Sequence, residues 1–329
     1  MVTEPAIDWD RSEILSGARN HFVCTTSMPF DVLQFSGHDA LDLLHRLSTN
    51  AIVDMRIGEA RETILTTEKG RIVDLILLSL FHDGLFALCS AGRGRAVVEW
   101  VKKFIITDDV TVEPPIPWNT ITCLLGPHSI STINDAFGIS LVRNGCAVDA
   151  RRDMRLISVE NARGTRVVIL GASGAPASIL HEIDADPVSS EQTELLRILL
   201  GMPRGPNELN DQFNPYDVGL QDLISFTKGC YVGQEVIARI DSYNKVRRGL
   251  VGVELLDGHI VLQPAAITDE GGEIGRLTSS ATDNGLTRSF GLGVVNLEGV
   301  SAGHPVNVLS DRAVVPGRIV KLPADLRQS

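Results

Sequence analysis

The feature that most constrains this chain is a unit that occurs twice: an apolar strand, a glycine-bearing turn and a helix. In the first copy, Phe30 to Phe35 reads as a strand. Ser36-Gly37-His38-Asp39 then opens a helix through Leu47, with Leu41, Leu43, Leu44 and Leu47 as its apolar stripe. In the second copy, Thr120 to Leu125 reads as a strand, followed by Gly126-Pro127-His128-Ser129 and a helix through Phe137. A repeated strand, glycine and helix points to two copies of one α+β subdomain.

Strands are expected between the copies at Thr63 to Thr66, Ile72 to Phe81 and Leu85 to Cys89, with turns at Glu68-Lys69-Gly70-Arg71 and Asp83-Gly84. A helix from Arg93 to Phe104 and a strand at Val110 to Val112 follow, and Pro114-Pro115-Ile116-Pro117 reads as a stiff linker. Beyond the second copy, strands are expected at Arg155 to Val159 and Arg166 to Leu170. Helices follow at Ala177 to Ile183 and Glu191 to Leu200, the latter stopped by Gly201-Met202-Pro203. Residues 203–219, with three prolines among Asn and Asp, read as a long structured loop, a kind of element that often carries function. From Arg248 the texture changes to short strands, including Leu250 to Leu255, Ile260 to Leu262, Glu273 to Leu277, Gly291 to Val295, Val306 to Leu309 and Gly317 to Val320. Turns such as Asp257-Gly258 separate them, and this is the pattern of a small β-barrel or sandwich. The expected division is 1–115 and 116–245 for the two α+β subdomains and 246–329 for the barrel, with residues 1–20 as a polar lead-in.

The densest polar chemistry lies in Lys228-Gly229-Cys230-Tyr231-Val232-Gly233-Gln234-Glu235. Two glycines allow backbone conformations or close approaches that a Cβ would block. Val232, Val236 and Ile240 recur at fourfold spacing, which predicts a helix starting near Gly229 to Tyr231. That start would set Cys230 at the positive end of a helix dipole and close to Lys228, and both would favour the thiolate. The plain alternative is a small buried cysteine beside a turn.

This octet resembles the Lys-Gly-Cys-Tyr-x-Gly-Gln-Glu signature of the YgfZ family, folate-binding relatives of the glycine-cleavage T-protein that are implicated in iron–sulfur cluster assembly or repair; all seven fixed positions match. The resemblance runs over most of the chain. Arg197 to Pro203 is similar to an Arg-x-x-x-Gly-x-Pro run, Asn214 to Leu220 to a Pro-x-x-x-Gly-Leu element, and Gly275 to Ser279 and Gly291 to Gly293 to the C-terminal barrel. It implies an α+β fold of two ferredoxin-like subdomains around a central channel, plus a small C-terminal β-barrel, with tetrahydrofolate or a derivative in the channel. Two departures bear on activity. The aminomethyltransferases carry adjacent aspartates before a Leu-Ile pair, whereas this chain has Val73-Asp74-Leu75-Ile76. Their Tyr-Thr-Gly-Glu segment has no counterpart between Arg151 and Val168, although Glu160 lies nearby. Glu68-Lys69-Gly70-Arg71 instead resembles a turn of the YgfZ branch.

The resemblance and the residues together nominate Cys230, Lys228 and Asp74 as working groups. Lys69, Arg71, Asp74, Arg197, Lys228, Tyr231, Gln234 and Glu235 are the candidate folate contacts, with Arg239 a further cation. Asp74 stands inside an apolar strand, where a carboxylate must be paired or hydrogen-bonded. A structural partner such as Arg71 and a folate-binding role both stay open. Lys228 could serve the anionic folate tail and the thiolate with one charge, or be a solvated loop charge. Three functions follow: a folate-binding factor for iron–sulfur proteins, a tetrahydrofolate-dependent aminomethyltransferase or demethylase, and a scaffold acting through residues 203–219.

Composition narrows the partners. The 329 residues carry a net charge of −11, so non-specific nucleic-acid binding is not expected. Five cysteines without a Cys-x-x-Cys pair argue against a disulfide framework and a self-contained metal site, and Cys89 and Cys123 fall in apolar runs expected to be core. His38, His45 and His128 read as surface or capping residues. The acidic N-terminus does not read as a signal or transit peptide, and no apolar run approaches the roughly 20 residues of a membrane span. A cytoplasmic monomer whose partners are folate and iron–sulfur client or assembly proteins is the expectation.

Overall fold

The computed structural model describes residues 10–116, 118, 120–171, 175–242, 246–256, 261–282, 289–310 and 313–323. In chain order the first part comprises α1 (Asp10–Asn20), β1 (Val23–Thr25), β2 (Phe30–Ser36), α2 (Ala40–Leu47), β3 (Ala60–Thr66), β4 (Ile72–Phe81), β5 (Gly84–Ser90), α3 (Gly94–Lys102) and β6 (Thr111–Val112). The second comprises β7 (Thr120–Leu125), α4 (Ser129–Phe137), β8 (Cys146–Asp149), β9 (Met154–Asn161), β10 (Gly164–Gly171), α5 (Ala175–Glu182), β11 (Pro187–Val188), α6 (Ser190–Leu199) and α7 (Gln234–Ser242). The last is all β: β12 (Arg248–Leu255), β13 (Ala265–Asp269), β14 (Gly272–Thr282), β15 (Ser289–Asn296), β16 (Pro305–Leu309) and β17 (Val314–Val320).

These strands form a five-stranded sheet, β3-β4-β5-β2-β6, a six-stranded sheet, β11-β1-β7-β10-β9-β8, and a closed barrel, β12-β15-β14-β13-β16-β17. Side-chain alternation along the strands explains how the first two sheets stack. On β4 and β5, Ile76, Leu78 and Ala87 turn to one face, where Leu43, Leu44 and Leu47 of α2 and Val97 and Val101 of α3 cover them. Leu77 and Leu88 turn to the other face and meet Cys123, Ile157, Val159 and Val168 of the second sheet. Val167 and Ile169 of β10 face outward under Ile133 and Phe137 of α4 and Ile179 of α5. Both sheets are thus buried on two faces, which is why β4 reads as an almost unbroken apolar run. Each such aliphatic side chain, once buried, contributes about 1.5–3 kcal/mol.

Helix α6 fastens this double layer to the barrel. Ser189 starts it with a reciprocal cap: its hydroxyl accepts from the Gln192 N–H, while the Gln192 side chain accepts from the Ser189 N–H. Leu196 and Leu199 then pack with Phe290 and Leu292 of β15. One face of α6 is thereby fixed on the barrel, and Glu194 and Arg197 are left at the edge of the space between the sheets.

The structure differs from the sequence expectations at several points. Asp10–Asn20 is a helix rather than a lead-in, because Leu15 and Ala18 bury themselves in the α6–β15 cluster; residues 1–9 lie outside the described residues. The short β1 pairs with β7 and β11, so part of the first 115 residues belongs to the second sheet. The expected strand at 260–262 falls partly outside the described residues, and the strand of that region is Ala265–Asp269. The turn at 257–258 and Pro117 also lie outside them. The helix expected to start near Gly229 to Tyr231 begins instead at Gln234, within the octet and four residues beyond Cys230. Gly233, at φ +86°, forms the turn that leads into it.

Candidate functional site

The two sheets enclose a cavity with about 680 Å³ of empty space. Its walls are mainly apolar: Met28, Phe30, Leu75, Leu77, Leu88 and Leu209. Polar groups converge on it from three directions: Ser90 at the end of β5, Glu62 and Arg166 on facing strands of the two sheets, and Glu194 and Arg197 on α6 with Arg204 just beyond. A largely apolar pocket with a few placed polar groups is the usual form of a small-molecule site.

Asp74 stands one residue behind the wall. It is fully buried, and its carboxylate accepts the Ser90 hydroxyl at 2.7 Å, the Ser90 N–H at 3.0 Å and the Leu75 N–H at 3.0 Å. Arg71 is not its partner; that guanidinium donates to the Gln212 carbonyl and lies 3.8 Å from Asp217. Burial pushes the Asp74 carboxyl up to about 6, against the opposing pull of the Ser90 hydrogen bonds and the Arg93 charge. Val73 packs among the α2 and α3 side chains rather than at the cavity, so the site has one carboxylate at this edge.

On α6, Arg197 is 4 % exposed and saturated from several sides. Its Nη2 donates to Glu194 Oε1 at 2.5 Å and its Nε to Glu194 Oε2 at 3.1 Å. Its Nη1 donates to the Met202 carbonyl at 2.8 Å and to Glu208 Oε2 at 3.2 Å. Glu208 is fully buried and also accepts the hydroxyls of Thr278 and Ser279 from β14, at 2.6 and 2.7 Å. Arg204 adds a second cation to Glu194 at 2.9 Å. Burial works to raise Glu194, but the hydrogen bonds and charge of Arg197, together with Arg204, hold it below the usual carboxylate range. Arg197 therefore presents Glu194, ionised and oriented, to the cavity.

Across the cavity, Glu62 accepts from Arg166 Nη2 and from Asn161 Nδ2, and Arg163 stands 3.8 Å away. The Arg166 Nε is buried without a hydrogen-bond partner.

The octet is elsewhere: none of its residues lines this cavity. Lys228 Nζ donates to the carbonyls of His45, Ser48 and Asn50 at 2.5, 2.7 and 2.8 Å, which closes the C-terminal end of α2. Burial lowers this amine to about 8, while three carbonyl acceptors favour its protonated form. Its ammonium lies 5.1 Å from the centroid of the Tyr231 ring, and Tyr231 is buried with Tyr216, Ile224 and Ile237. Gln234 accepts from the Tyr231 N–H at 3.3 Å, and the exposed Glu235 pairs with Arg239 at 2.9 Å. Cys230 is exposed on the loop these contacts hold, whereas Cys24, Cys89, Cys123 and Cys146 are buried. Lys69 and Arg71 line a separate outer cleft.

The residues nominated from sequence thus divide into three places: Asp74 and Arg197 at the cavity, Lys69 and Arg71 at the outer cleft, and Lys228 to Glu235 at the cysteine loop. Sequence reasoning missed Ser90, Glu62, Arg166 and Glu194. Glu62 carried the same signal as Asp74, a carboxylate beside an apolar strand run, and Glu194 lies one helical turn from Arg197. Ser90 and Arg166 had no such mark.

Residues 16–167 match a family model described as the GCVT N-terminal domain. The chain is 26% identical to a chloroplastic protein of Arabidopsis thaliana described as a transferase, over 96% of this chain and 74% of that one. It is 23% identical to an aminomethyltransferase of Thermotoga neapolitana, over 87% and 82% of the two chains. The glycine cleavage system aminomethyltransferase T from Bartonella henselae superposes with a TM-score of 0.75 over 95% of this chain and 89% of that one, at 17% identity. Residues 16–167 are thus similar to the GCVT N-terminal domain, and the mixed α+β double layer with a closed C-terminal barrel is the fold of the Bartonella henselae neighbour.

Proposed function

We propose that this chain binds a tetrahydrofolate in the cavity between its two sheets and serves iron–sulfur protein assembly or repair. The carrying observation is the cavity itself: mainly apolar walls between the two sheets, an ionised Glu194, and the Arg166 guanidinium in its lining. A reduced pterin offers paired ring donors and an adjacent acceptor. Glu194 would take the donors, the Arg166 guanidinium would supply the acceptor's hydrogen bond, and Phe30, Leu75 and Leu88 would cover the ring faces. The Ser90 hydroxyl gives its proton to Asp74, so its oxygen is available as an acceptor toward the cavity. Bound tetrahydrofolate would supply one-carbon chemistry at its ring nitrogens; the protein's part is to orient it and exclude water.

The iron–sulfur role rests on the YgfZ-type octet and on Cys230, the exposed cysteine of the chain, held on a loop outside the cavity. Titration of tetrahydrofolate against the wild type and Arg166→Met tests the binding site. The variant is expected to bind at least ~10-fold more weakly, on the scale of one lost hydrogen bond to a charged group. Equal affinities would remove the cavity from the proposal. Cells lacking the protein are expected to lose activity of cluster-containing enzymes under oxidative stress, and a Cys230→Ser chain is expected not to restore it.

A tetrahydrofolate-dependent aminomethyltransferase or demethylase is a second reading, and Asp74 favours it. A carboxyl near 6, linked through Ser90 to the cavity, can hold or release a proton near neutral pH. Incubation with tetrahydrofolate and methylated or aminomethylated donors, followed by mass spectrometry of the folate, separates the two. The scaffold idea has less support, because Leu209, Phe213, Tyr216 and Val218 in the 203–219 loop are buried and hold the fold together.

A further inference from the structure

A second concave site lies outside the central cavity, where the β3–β4 turn faces the last turn of α3 and the tip of the 203–219 loop. It has about 990 Å³ of empty space and is lined by Thr67, Glu68, Lys69, Arg71, Trp100, Lys103, Phe104 and Asp211. Trp100, Lys103 and Phe104 are spaced i, i+3, i+4, so they share one side of the helix end. The Trp100 and Phe104 rings lie 4.9 Å apart, tilted 54° to one another, and are half-buried, so each keeps part of its surface for the cleft.

Charge at this cleft runs against the chain as a whole. Three cations, Lys69, Arg71 and Lys103, face two carboxylates, Glu68 and Asp211, in a protein of net charge −11. Arg71 is partly spent on the Gln212 carbonyl and on Asp217 at 3.8 Å. Lys69 and Lys103 are both exposed, and their ammonium groups have no hydrogen bond or ion pair with another described residue. The C-terminal end of α3 works against an anion here, through the negative pole of its dipole. Three cations still outnumber the two carboxylates by one, and that excess is larger than the roughly half-charge of the helix end.

The cleft is also built rather than accidental. Gly70 holds the turn at φ +65°, where an added Cβ would come within 3.2–3.3 Å of Val236 and Ile237 on α7. Gly233 abuts the same turn: its Cβ would lie 2.5 Å from the Thr67 carbonyl oxygen. The backbone that presents Lys69 and Arg71 is therefore seated on the octet and its helix.

We propose that this cleft binds a flat aromatic molecule bearing a carboxylate or phosphate group, its ring on Trp100 and Phe104 and its anionic group between Lys69 and Lys103. The inference goes beyond folate binding in the central cavity and does not depend on it. Cations gathered beside two half-buried aromatic rings meet both halves of such a ligand: ring contact with the aromatics and charge-assisted hydrogen bonds at the rim.

The chain has three tryptophans, so Trp100 can be made the only reporter with Trp9→Phe and Trp118→Phe. The full-length protein is titrated with adenosine 5′-monophosphate, with 4-aminobenzoyl-glutamate, and with neutral adenosine, while Trp100 fluorescence is followed. Saturable quenching is expected with at least one anionic probe, and the better of the two identifies the preferred group. Lys69→Ala with Lys103→Ala is expected to weaken that binding by roughly 10-fold or more, and added salt to weaken it further. A Trp118→Phe, Trp9→Phe, Arg166→Met chain, altered in the central cavity, is expected to keep it. Equal quenching by adenosine, no saturable quenching by either anion, or an unchanged affinity in the lysine variant would each overturn the proposal.

Discussion

Ser90 grips both oxygens of Asp74: its hydroxyl donates to Oδ1 at 2.7 Å and its backbone N–H donates to Oδ2 at 3.0 Å. One residue at the end of β5 thus fixes the carboxylate of a neighbouring strand, and shows its own oxygen to the cavity. Gly205 lies against this pair, since a Cβ there would come 2.6 Å from the Ser90 hydroxyl.

The sign of the pH effect follows from the raised carboxyl. The folded value, about 6, lies above the ordinary 3.8, so the folded protein holds this proton more tightly than the unfolded chain does. Ionisation of Asp74 therefore takes stability away as pH rises through this window. Relative to Asp74→Asn, the wild type is expected to lose about 2–3 kcal/mol between pH ~4 and pH ~7. Denaturant midpoints of both chains at the two pH values measure this; a difference that stays constant with pH would contradict the buried, raised carboxyl.

Lys228→Met is expected to destabilise the protein by about 2–3 kcal/mol, because the C-terminal carbonyls of α2 lose their shared donor. Lys228→Arg is expected to restore only part, since a planar guanidinium does not match three carbonyls clustered around one ammonium. Hydrogen exchange should quicken in residues 45–50 and 226–233 together. Faster exchange in the cysteine loop alone would mean that Lys228 does not tie it to α2.

Glu208→Ala removes a buried acceptor shared by Arg197, Arg204 N–H, Thr278 and Ser279. Leaving Arg197 with a reduced set of partners is expected to cost about 3–5 kcal/mol. Because the lost contacts join α6 to β14, the barrel and the double layer are expected to separate into two unfolding steps in calorimetry. A single transition shifted by less than ~1 kcal/mol would show that the apolar packing of α6 holds the junction by itself.

The two octet glycines are expected to behave differently. Gly233→Ala must adopt φ +86° with its Cβ 2.5 Å from the Thr67 carbonyl, and is expected to cost about 1–3 kcal/mol or more. Gly229→Ala meets nothing within 4 Å and needs no positive φ, so its stability should change by less than ~1 kcal/mol. Thermal melts of the two variants decide this directly.

Periodicity was enough for the framework. The run Ile72 to Phe81 and the duplicated strand–glycine–helix unit made the first sheet, strands β7, β9 and β10 of the second and helices α2 to α6 legible, because two-faced burial leaves an apolar signature in long strands, whereas the short β1, β8 and β11 went unread. Helix α1 was hidden because two small clusters of burial, at Leu15 and Ala18, sit among charged residues. At the site, Asp74 was readable as a charge inside an apolar strand, and Arg197 through the resemblance of its Arg-x-x-x-Gly-x-Pro run. Ser90 and Arg166 were not, since a serine at a strand end and an arginine at a strand start have no one-dimensional mark; only the stacking of the sheets turns them to one cavity. Lys228 was read as an anion site because its three carbonyl partners lie about 180 residues earlier in the chain.

The placement of β1 has a consequence for how the chain is made. Thr25 pairs with Cys123 of β7 on one side and Val188 of β11 on the other, and its hydroxyl lies 2.6 Å from that of Thr193. During synthesis, at about 5–20 residues per second, β1 emerges several seconds before β7 and longer still before β11 and α6. For that interval it has neither lateral partner, and a strand with two open edges is a template for pairing with another chain. The β3–β4–β5 part of the first sheet can form early from local hairpins, whereas the second sheet must recapture a segment made about 100 residues before β7. A ribosome-bound chain stalled near residue 118 should therefore protect β3–β5 from proteolysis and leave residues 21–27 cleavable, with protection of that segment appearing only once α6 has emerged.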